Sequence, residues 1–498
     1  MKNTTPLTEF LLITVLALAL YLPFLAIQYD TNGIAEAIAV ENGPLLNRNH
    51  LLYRPLGWIV WRSIQLVGYS GNSLLILQSI TAIAAALGVG FAYLAFKALA
   101  PGRTYPAVGA LALGTSYSYW VTGTDVFYIM VAAMFAAAAL ACTVHARSNA
   151  WLAAAGVLSA LSILTWKGSV FLPAALLILL PSQRRSLRSA ATLAGVAGVV
   201  SALGYIAMAF GELGFMGPRA LWTWLTRYND TSTLPFWGAW GVERIGFATV
   251  SALNSVVPVR LGVPLNELLK TPQLGRVAVD FSTAGFIAIL VLAAVKTRSH
   301  ALRFVAGYLC FVPFLIWWDP GTHLWFLVPN VFLAGFVLLG LAAWRPRKYV
   351  GTLAAAAILF TAATNFITTI RPRHFMTGRD VPMAACVAGH MQPADLFVAA
   401  EWGWPDYLGY FHKRSAINLI NETAHFGNKT EALEDVRLRI RETIGAGANA
   451  FFTDPQHYSQ AQLQWLHNTA GLGLDDLAGF SGSPSFVCEG VAIHRLGI

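Results

Sequence analysis

The sequence predicts a polytopic α-helical membrane protein that ends in a small α/β domain, and three observations carry that prediction. Of the 498 residues 56% are hydrophobic and only 11% are charged, whereas about a quarter of a soluble domain is charged. Long apolar runs recur through the first 370 residues, many of them long enough to cross a bilayer as a helix. From residue 371 the charge returns and the apolar runs shorten to strand length. The chain is basic, +9 at pH 7, with a mean hydropathy of +0.58. Its Lys and Arg residues cluster in short turns between apolar runs, where they report membrane topology, so no nucleic-acid partner is expected.

The apolar runs predict about eleven spans, over 9–27, 73–98, 106–121, 126–145, 150–165, 168–181, 189–211, 276–296, 302–318, 324–344 and 349–370. With a cytoplasmic N-terminus the inner turns hold Lys97 and Arg103, then His145 and Arg147, then Arg184, Arg185 and Arg188, then Lys296, Arg298 and Arg303, and last Arg345, Arg347 and Lys348. Successive inner turns are basic, as the positive-inside rule requires of short loops, while the short outer turns hold little but Lys167. The first run has only Lys2 before it and no small-residue cleavage pattern after it, so it reads as a retained helix.

Two longer outer loops interrupt the array, at 28–72 and 212–275. The first contains Asp30, the polar run Asn47-Arg48-Asn49-His50 and an amphipathic stretch from Pro55 to Val67 with Trp58 and Trp61, which suits the membrane interface. The second carries Trp222, Trp224, Trp237 and Trp240, as an aromatic belt does. The stretch 238–258 holds Glu243, Arg244 and Asn254, and one more crossing there would put Arg345, Arg347 and Lys348 outside, so it is not read as a span. The sequence therefore divides into a membrane domain, 1–370, and an extracytoplasmic domain, 371–498. Strand-like runs in the latter are Leu396–Ala400, Ala450–Thr453 and Gly490–Arg495, with a helical pattern over Lys429–Ile444. Cys142 and Cys310 fall in spans, and Cys386 and Cys488 fall in the last domain, where a disulfide is chemically allowed but not fixed by spacing.

With topology set by positive charge alone, the acids beside spans gather at one face. Asp30 lies about one turn beyond the first run, Asp125 in Thr122-Gly123-Thr124-Asp125 after the third, and Asp319 in Trp317-Trp318-Asp319-Pro320-Gly321-Thr322-His323 after the ninth. Each has an ordinary reading when taken alone: Asp125 caps a helix, Asp319 makes a turn, and Asp30 is a solvated loop acid. Together, with Arg48, His50, Arg54 and His323 as basic complements, they point to function, because ionisable groups at spans are costly to keep. Acids and cations beside aromatic interfacial segments suit a substrate whose tail stays in the bilayer, whose phosphate meets Arg, Lys or His, and whose transferable group lies outside. A carboxylate near the acceptor hydroxyl would take its proton as the lipid phosphate leaves.

This arrangement resembles the GT-C glycosyltransferases, in the branch of protein O-mannosyltransferases, bacterial aminoarabinose transferases of lipid A and oligosaccharyltransferase catalytic subunits. Asp30 matches the acid that follows the family's first span and Asp125 matches the second acid. The stretch from Gly321 to Pro329 is similar to an Arg-Tyr-x-x-x-x-x-Pro segment that handles the donor phosphate, with His323 where many relatives carry Arg. The resemblance implies an inverting transfer of a sugar from a polyprenyl-phosphate donor to a hydroxyl of a lipid, glycan or protein on the outer face. Asp30 would be the base and Asp125 a second acid. His50, Arg54 and His323 would contact the phosphate, supported by Arg48, Lys167, Arg227 and Asp319. A divalent metal, Mg or Mn, is compatible with Asp30, Asp125 and His50 as ligands, though spacing does not establish one. The expected location is a bacterial inner membrane, with the C-terminal domain periplasmic. The alternative is a flippase or transporter of lipid-linked glycans, in which the same groups line a path.

Overall fold

The computed structural model describes residues 5–100, 102, 104–214, 217–219, 221, 240–258, 274–295, 299–344, 348–375, 378–400, 403–426, 428–480 and 482–497. Two compact units emerge. One comprises Met1–Ala26, Ala39–Gly214 and Trp240–Phe375, and the other joins Ile27–Ile38 to the chain after Phe375.

The first unit is helical. Among the described residues seven helices are long and apolar enough to cross a membrane: Pro6–Phe24, Ser73–Leu99, Leu187–Gly211, Val277–Val295, His300–Trp318, His323–Ala342 and one beginning at Tyr349. Ser73–Leu99 and His323–Ala342 are mostly buried by their neighbours, so they form the centre, while the other five turn most of their surface outward. Four of the eleven predicted spans are shorter or broken. The run 106–121 divides into Thr104–Gly114 and Tyr117–Gly123, and the latter meets Tyr128–Val144 at a bend of 117°. Asn149–Thr165 has 17 residues, and 168–181 is a 3-10 turn followed by Leu172–Leu179. The break at Thr115–Ser116 has a local cause. Thr115 Oγ1 donates to the Leu111 carbonyl and Ser116 Oγ to that of Leu113, and the freed Thr115 carbonyl accepts from Asn365 Nδ2 at 2.9 Å. The predicted interfacial stretch is the helix Tyr53–Gln65, with Arg62 lying 4.9 Å from the Trp61 ring.

Small residues allow the helices to approach closely. A Cβ on Gly340 would fall 2.4 Å from the Ala293 backbone, and one on Gly156 2.7 Å from the Leu193 carbonyl. Near the N-terminus a buried Glu9 pairs with Lys97 and accepts from Tyr93 Oη at 2.7 Å. Lys97, read from sequence as a turn cation, thus also neutralises an acid on the first helix.

The second unit contains a five-stranded sheet in the order β2-β1-β3-β5-β4, formed by β1 (Leu396–Ala399), β2 (Ser415–Asn418), β3 (Ala450–Thr453), β4 (Gly482–Cys488) and β5 (Val491–Leu496). β1 runs parallel to both β2 and β3, and the remaining pairs are antiparallel. Every residue of β1 and β3 is buried, as expected of parallel strands covered by helices. Val398 and Phe452 share a core with Leu433, Val436 and Ile440 of the helix Lys429–Gly445. β4 and β5 join through Glu489 and Gly490, both at positive φ, 49° and 77°. Cys386 on the helix Asp380–His390 is disulfide-bonded to Cys488 at the end of β4.

Candidate active site

Asp125 lies in the turn between Tyr117–Gly123 and Tyr128–Val144 and is buried. Its Oδ1 accepts from the Val126 amide at 2.7 Å, and its Oδ2 is held by Arg373 in an ion pair. Buried Gln78 holds the same turn: its amide donates to the carbonyls of Thr124, at 2.8 Å, and Ala26, at 2.9 Å. The Ala26 amide donates to the Thr124 carbonyl, and His374 contacts the Leu25 carbonyl through Nδ1 at 2.7 Å. The end of the first helix, the Asp125 turn and the segment Arg371–Phe375 are thereby bound to one another.

His323 joins this group. Its Nδ1 lies 2.6 Å from Ser118 Oγ on the helix preceding Asp125, its ring lies 4.9 Å from that of Tyr117, and the charge of Arg373 is within electrostatic range. The loop before His323 is organised by Asp319, which is buried and accepts from the Gly321 amide, Thr322 Oγ1 at 2.6 Å and Trp325 Nε1 at 2.9 Å. Buried Arg244 donates to the carbonyls of Ile316, Trp317 and Trp318, satisfying the exposed end of the helix Val312–Trp318.

An aromatic chain ties in the remaining loops. Trp325 stacks on Trp166 with ring centroids 6.1 Å apart, Phe127 lies 6.3 Å from Trp325, and Tyr128 stacks on both Phe127 and His50. Lys167, next to Trp166, sits over the Tyr205 ring at 5.9 Å and within repulsive range of Arg48. His50, Arg48, Lys167, Asp125, Asp319 and His323 are thus placed by loops that pack on one another within the first unit. Arg54 turns back on its own loop, donating to the Pro44 carbonyl at 3.2 Å. Arg227 lies outside the described residues.

Asp30 belongs to the second unit. It precedes the helix Thr31–Asn42, and its Oδ1 accepts from the Asn32 amide and side chain at 2.9 and 2.8 Å. Asp406 and Asp380 stand close enough to act on each other electrostatically. Burial, and then the negative charges of Asp30 and Asp380, push the Asp406 carboxyl up from 3.8 to about 6.

Asp125 fits a metal poorly, because both its oxygens are engaged and one of them by a cation. The one group of three metal-type ligands close together among the described residues is Cys386, His390 and Cys488, and there the two sulfurs are bonded to each other. Sequence reading missed Arg373, Ser118 and Arg244. For Arg373 a signal existed, since Arg371, Arg373 and His374 follow the last run on the side where the topology expects few cations.

The architecture matches solved structures over almost the whole chain. Against ArnT from Cupriavidus metallidurans bound to undecaprenyl phosphate, the alignment covers 98% of this chain and 97% of that one, with 13% identity and a TM-score of 0.57. The Archaeoglobus fulgidus oligosaccharyltransferase in complex with Zn and sulfate aligns over 96% of this chain and 71% of its own, at 13% identity and TM-score 0.53. The mycobacterial arabinofuranosyltransferase AftD aligns over 99% of this chain and 40% of its own, at 13% identity and TM-score 0.50. No protein-family model and no curated protein matches the sequence. At such identities the likeness establishes the fold alone, the architecture that these solved membrane proteins share with this chain.

Proposed function

We propose that the chain is an integral membrane glycosyltransferase that takes a sugar from a polyprenyl-phosphate-linked donor on the outer face and passes it to a hydroxyl acceptor on a lipid, glycan or protein. The observation that carries this reading is the convergence, at one end of a GT-C fold, of buried Asp125 with Arg373 and of His323 with Ser118. The ArnT that shares the fold is bound to undecaprenyl phosphate, which is the kind of donor carrier proposed here.

In this reading the acceptor hydroxyl oxygen attacks the anomeric carbon while the bond from that carbon to the phosphate oxygen breaks. Asp30 takes the hydroxyl proton and the lipid phosphate departs. Asp125, held by Arg373, orients the acceptor or the donor sugar. Arg48 and Lys167, within electrostatic range of each other, are the supporting cations for the phosphate. His50, Arg54, His323 and Arg227 are the further phosphate candidates, and Asp319 shapes the late loop. The disulfide between Cys386 and Cys488 supports an oxidising, outer location for the C-terminal domain and hence a cytoplasmic N-terminus. Charge and composition fit a bacterial inner membrane.

The test follows label from undecaprenyl-phosphate-linked sugars in membranes containing the wild type or Asp30→Asn, with endogenous acceptors present. Label should enter an acceptor with the wild type and fall by roughly 10²–10⁴-fold with Asp30→Asn. If no donor is consumed, and labelled lipid changes leaflet equally with both proteins, the transferase reading fails and a flippase replaces it.

A further inference from the structure

The hydroxyl of Tyr407 grips both polar backbone groups of Tyr29, the residue before Asp30. It accepts from the Tyr29 amide at 2.5 Å and donates to the Tyr29 carbonyl at 2.8 Å. One side chain so bonded fixes the position and rotation of a single peptide residue, and with it where the next side chain starts. We propose that Tyr407 is a positioning residue for Asp30, so that the C-terminal part of the chain sets the placement of the carboxylate. This rests on the reading of Asp30 as the base.

Independent contacts converge on Gln28 and Tyr29, the two residues before Asp30. Gln28 Oε1 accepts from the Gly378 amide, and Gln28 Nε2 donates to Asp380 Oδ2 at 3.3 Å. The Tyr29 ring stacks on Phe411, with centroids 6.2 Å apart and planes 22° apart. Tyr407 and Phe411 lie four residues apart on the helix Trp404–His412, which puts both on one face. The helix is itself anchored, since Trp404 packs edge-on against Phe397 of β1 at 4.7 Å and Tyr407 is 3% exposed. A rigid path therefore runs from the sheet through Trp404 and the helix to Tyr29 and Asp30. Such support is what a base needs, because displacing a reacting group by about 1 Å costs on the order of 10²-fold in rate.

The test uses Tyr407→Phe in the full-length protein, which removes the hydroxyl and keeps the ring beside Phe411. Hydrogen exchange reports the grip directly: peptides covering residues 27–32 should gain about tenfold faster exchange at the Tyr29 amide, with the β1 and β3 amides unchanged. With undecaprenyl phosphate monosaccharides labelled in the sugar, kcat should fall roughly 10–10²-fold at unchanged KM for the lipid donor. In an Asp30→Glu background, where the carboxylate is already displaced, the same change should cost less than about threefold. Gln28→Leu, which leaves the helix untouched, should act in the same direction, more weakly. Equal losses in both backgrounds, or an unchanged kcat, would overturn the positioning role. Unaltered exchange at Tyr29 would overturn the grip itself. Wild-type transfer by Asp30→Asn would instead remove the base, and the exchange result would still decide the grip.

Discussion

Replacing Arg373 by Leu should cost about 2–3 kcal/mol of stability, and the structure supplies the reasons for that size. The Asp125 side chain is 4% exposed, with one oxygen on the Val126 amide and the other on Arg373. Losing a charge-assisted bond alone is worth about 1.5–3 kcal/mol, and stranding a fully buried carboxylate costs about 3–5 kcal/mol. Because the Arg373 side chain is 28% exposed, water can partly replace the lost guanidinium, so the lower part of this range applies. SDS unfolding in mixed micelles measures the loss. Asp125→Asn combined with Arg373→Leu removes both charges and should lose less than the sum of the single changes, with a coupling of at least about 1 kcal/mol. Additive losses, or a change below about 0.5 kcal/mol for Arg373→Leu, would refute the pairing as the reason Asp125 tolerates burial.

Further outcomes are expected at three other positions. Ser118→Ala removes the 2.6 Å contact to His323 Nδ1 and should lower transfer about 3–10-fold while leaving the unfolding midpoint within about 0.5 kcal/mol, as donor-kinetics and unfolding assays would show. Cys386→Ser opens a loop with a sequence separation of 102 and should destabilise the C-terminal part by about 2–5 kcal/mol, with Cys488 becoming reactive to a thiol label that the wild type excludes. Asp406 is pushed up to about 6 from 3.8, so between those values the folded protein binds a proton more tightly than the unfolded chain. The stability it contributes is complete below about pH 4 and is lost as the pH rises through about 6. Asp406→Asn should flatten that slope and stabilise the protein above pH 6 by on the order of 2–3 kcal/mol, and an unchanged stability profile from pH 4 to 8 would contradict it.

Apolar runs are local, so the sequence by itself determined a mostly helical membrane protein, whereas the grouping of Ile27–Ile38 with the chain after Phe375 could not be read from them. Three of the five strands were legible because β1 and β3 are compact, largely apolar runs and β5 opens on Val491-Ala492-Ile493. β2, Ser-Ala-Ile-Asn, and β4, interrupted by Pro484 and a register shift, carry no such signal. Asp125, Asp319 and His323 could be singled out because charged and polar groups are rare beside spans. Their partners could not: Arg373 is 248 residues from Asp125, His323 is 205 from Ser118, and Tyr407 is 378 from Tyr29. Hydropathy and charge patterns extend over a turn or a span, whereas an ion pair or a backbone grip depends on which loops the packed helices bring together. The tertiary structure alone decided those partners, and with them that Asp125 is a buried acid paired with Arg373, that Asp30 lies within electrostatic range of Asp406, and that Tyr407 holds the residue before Asp30.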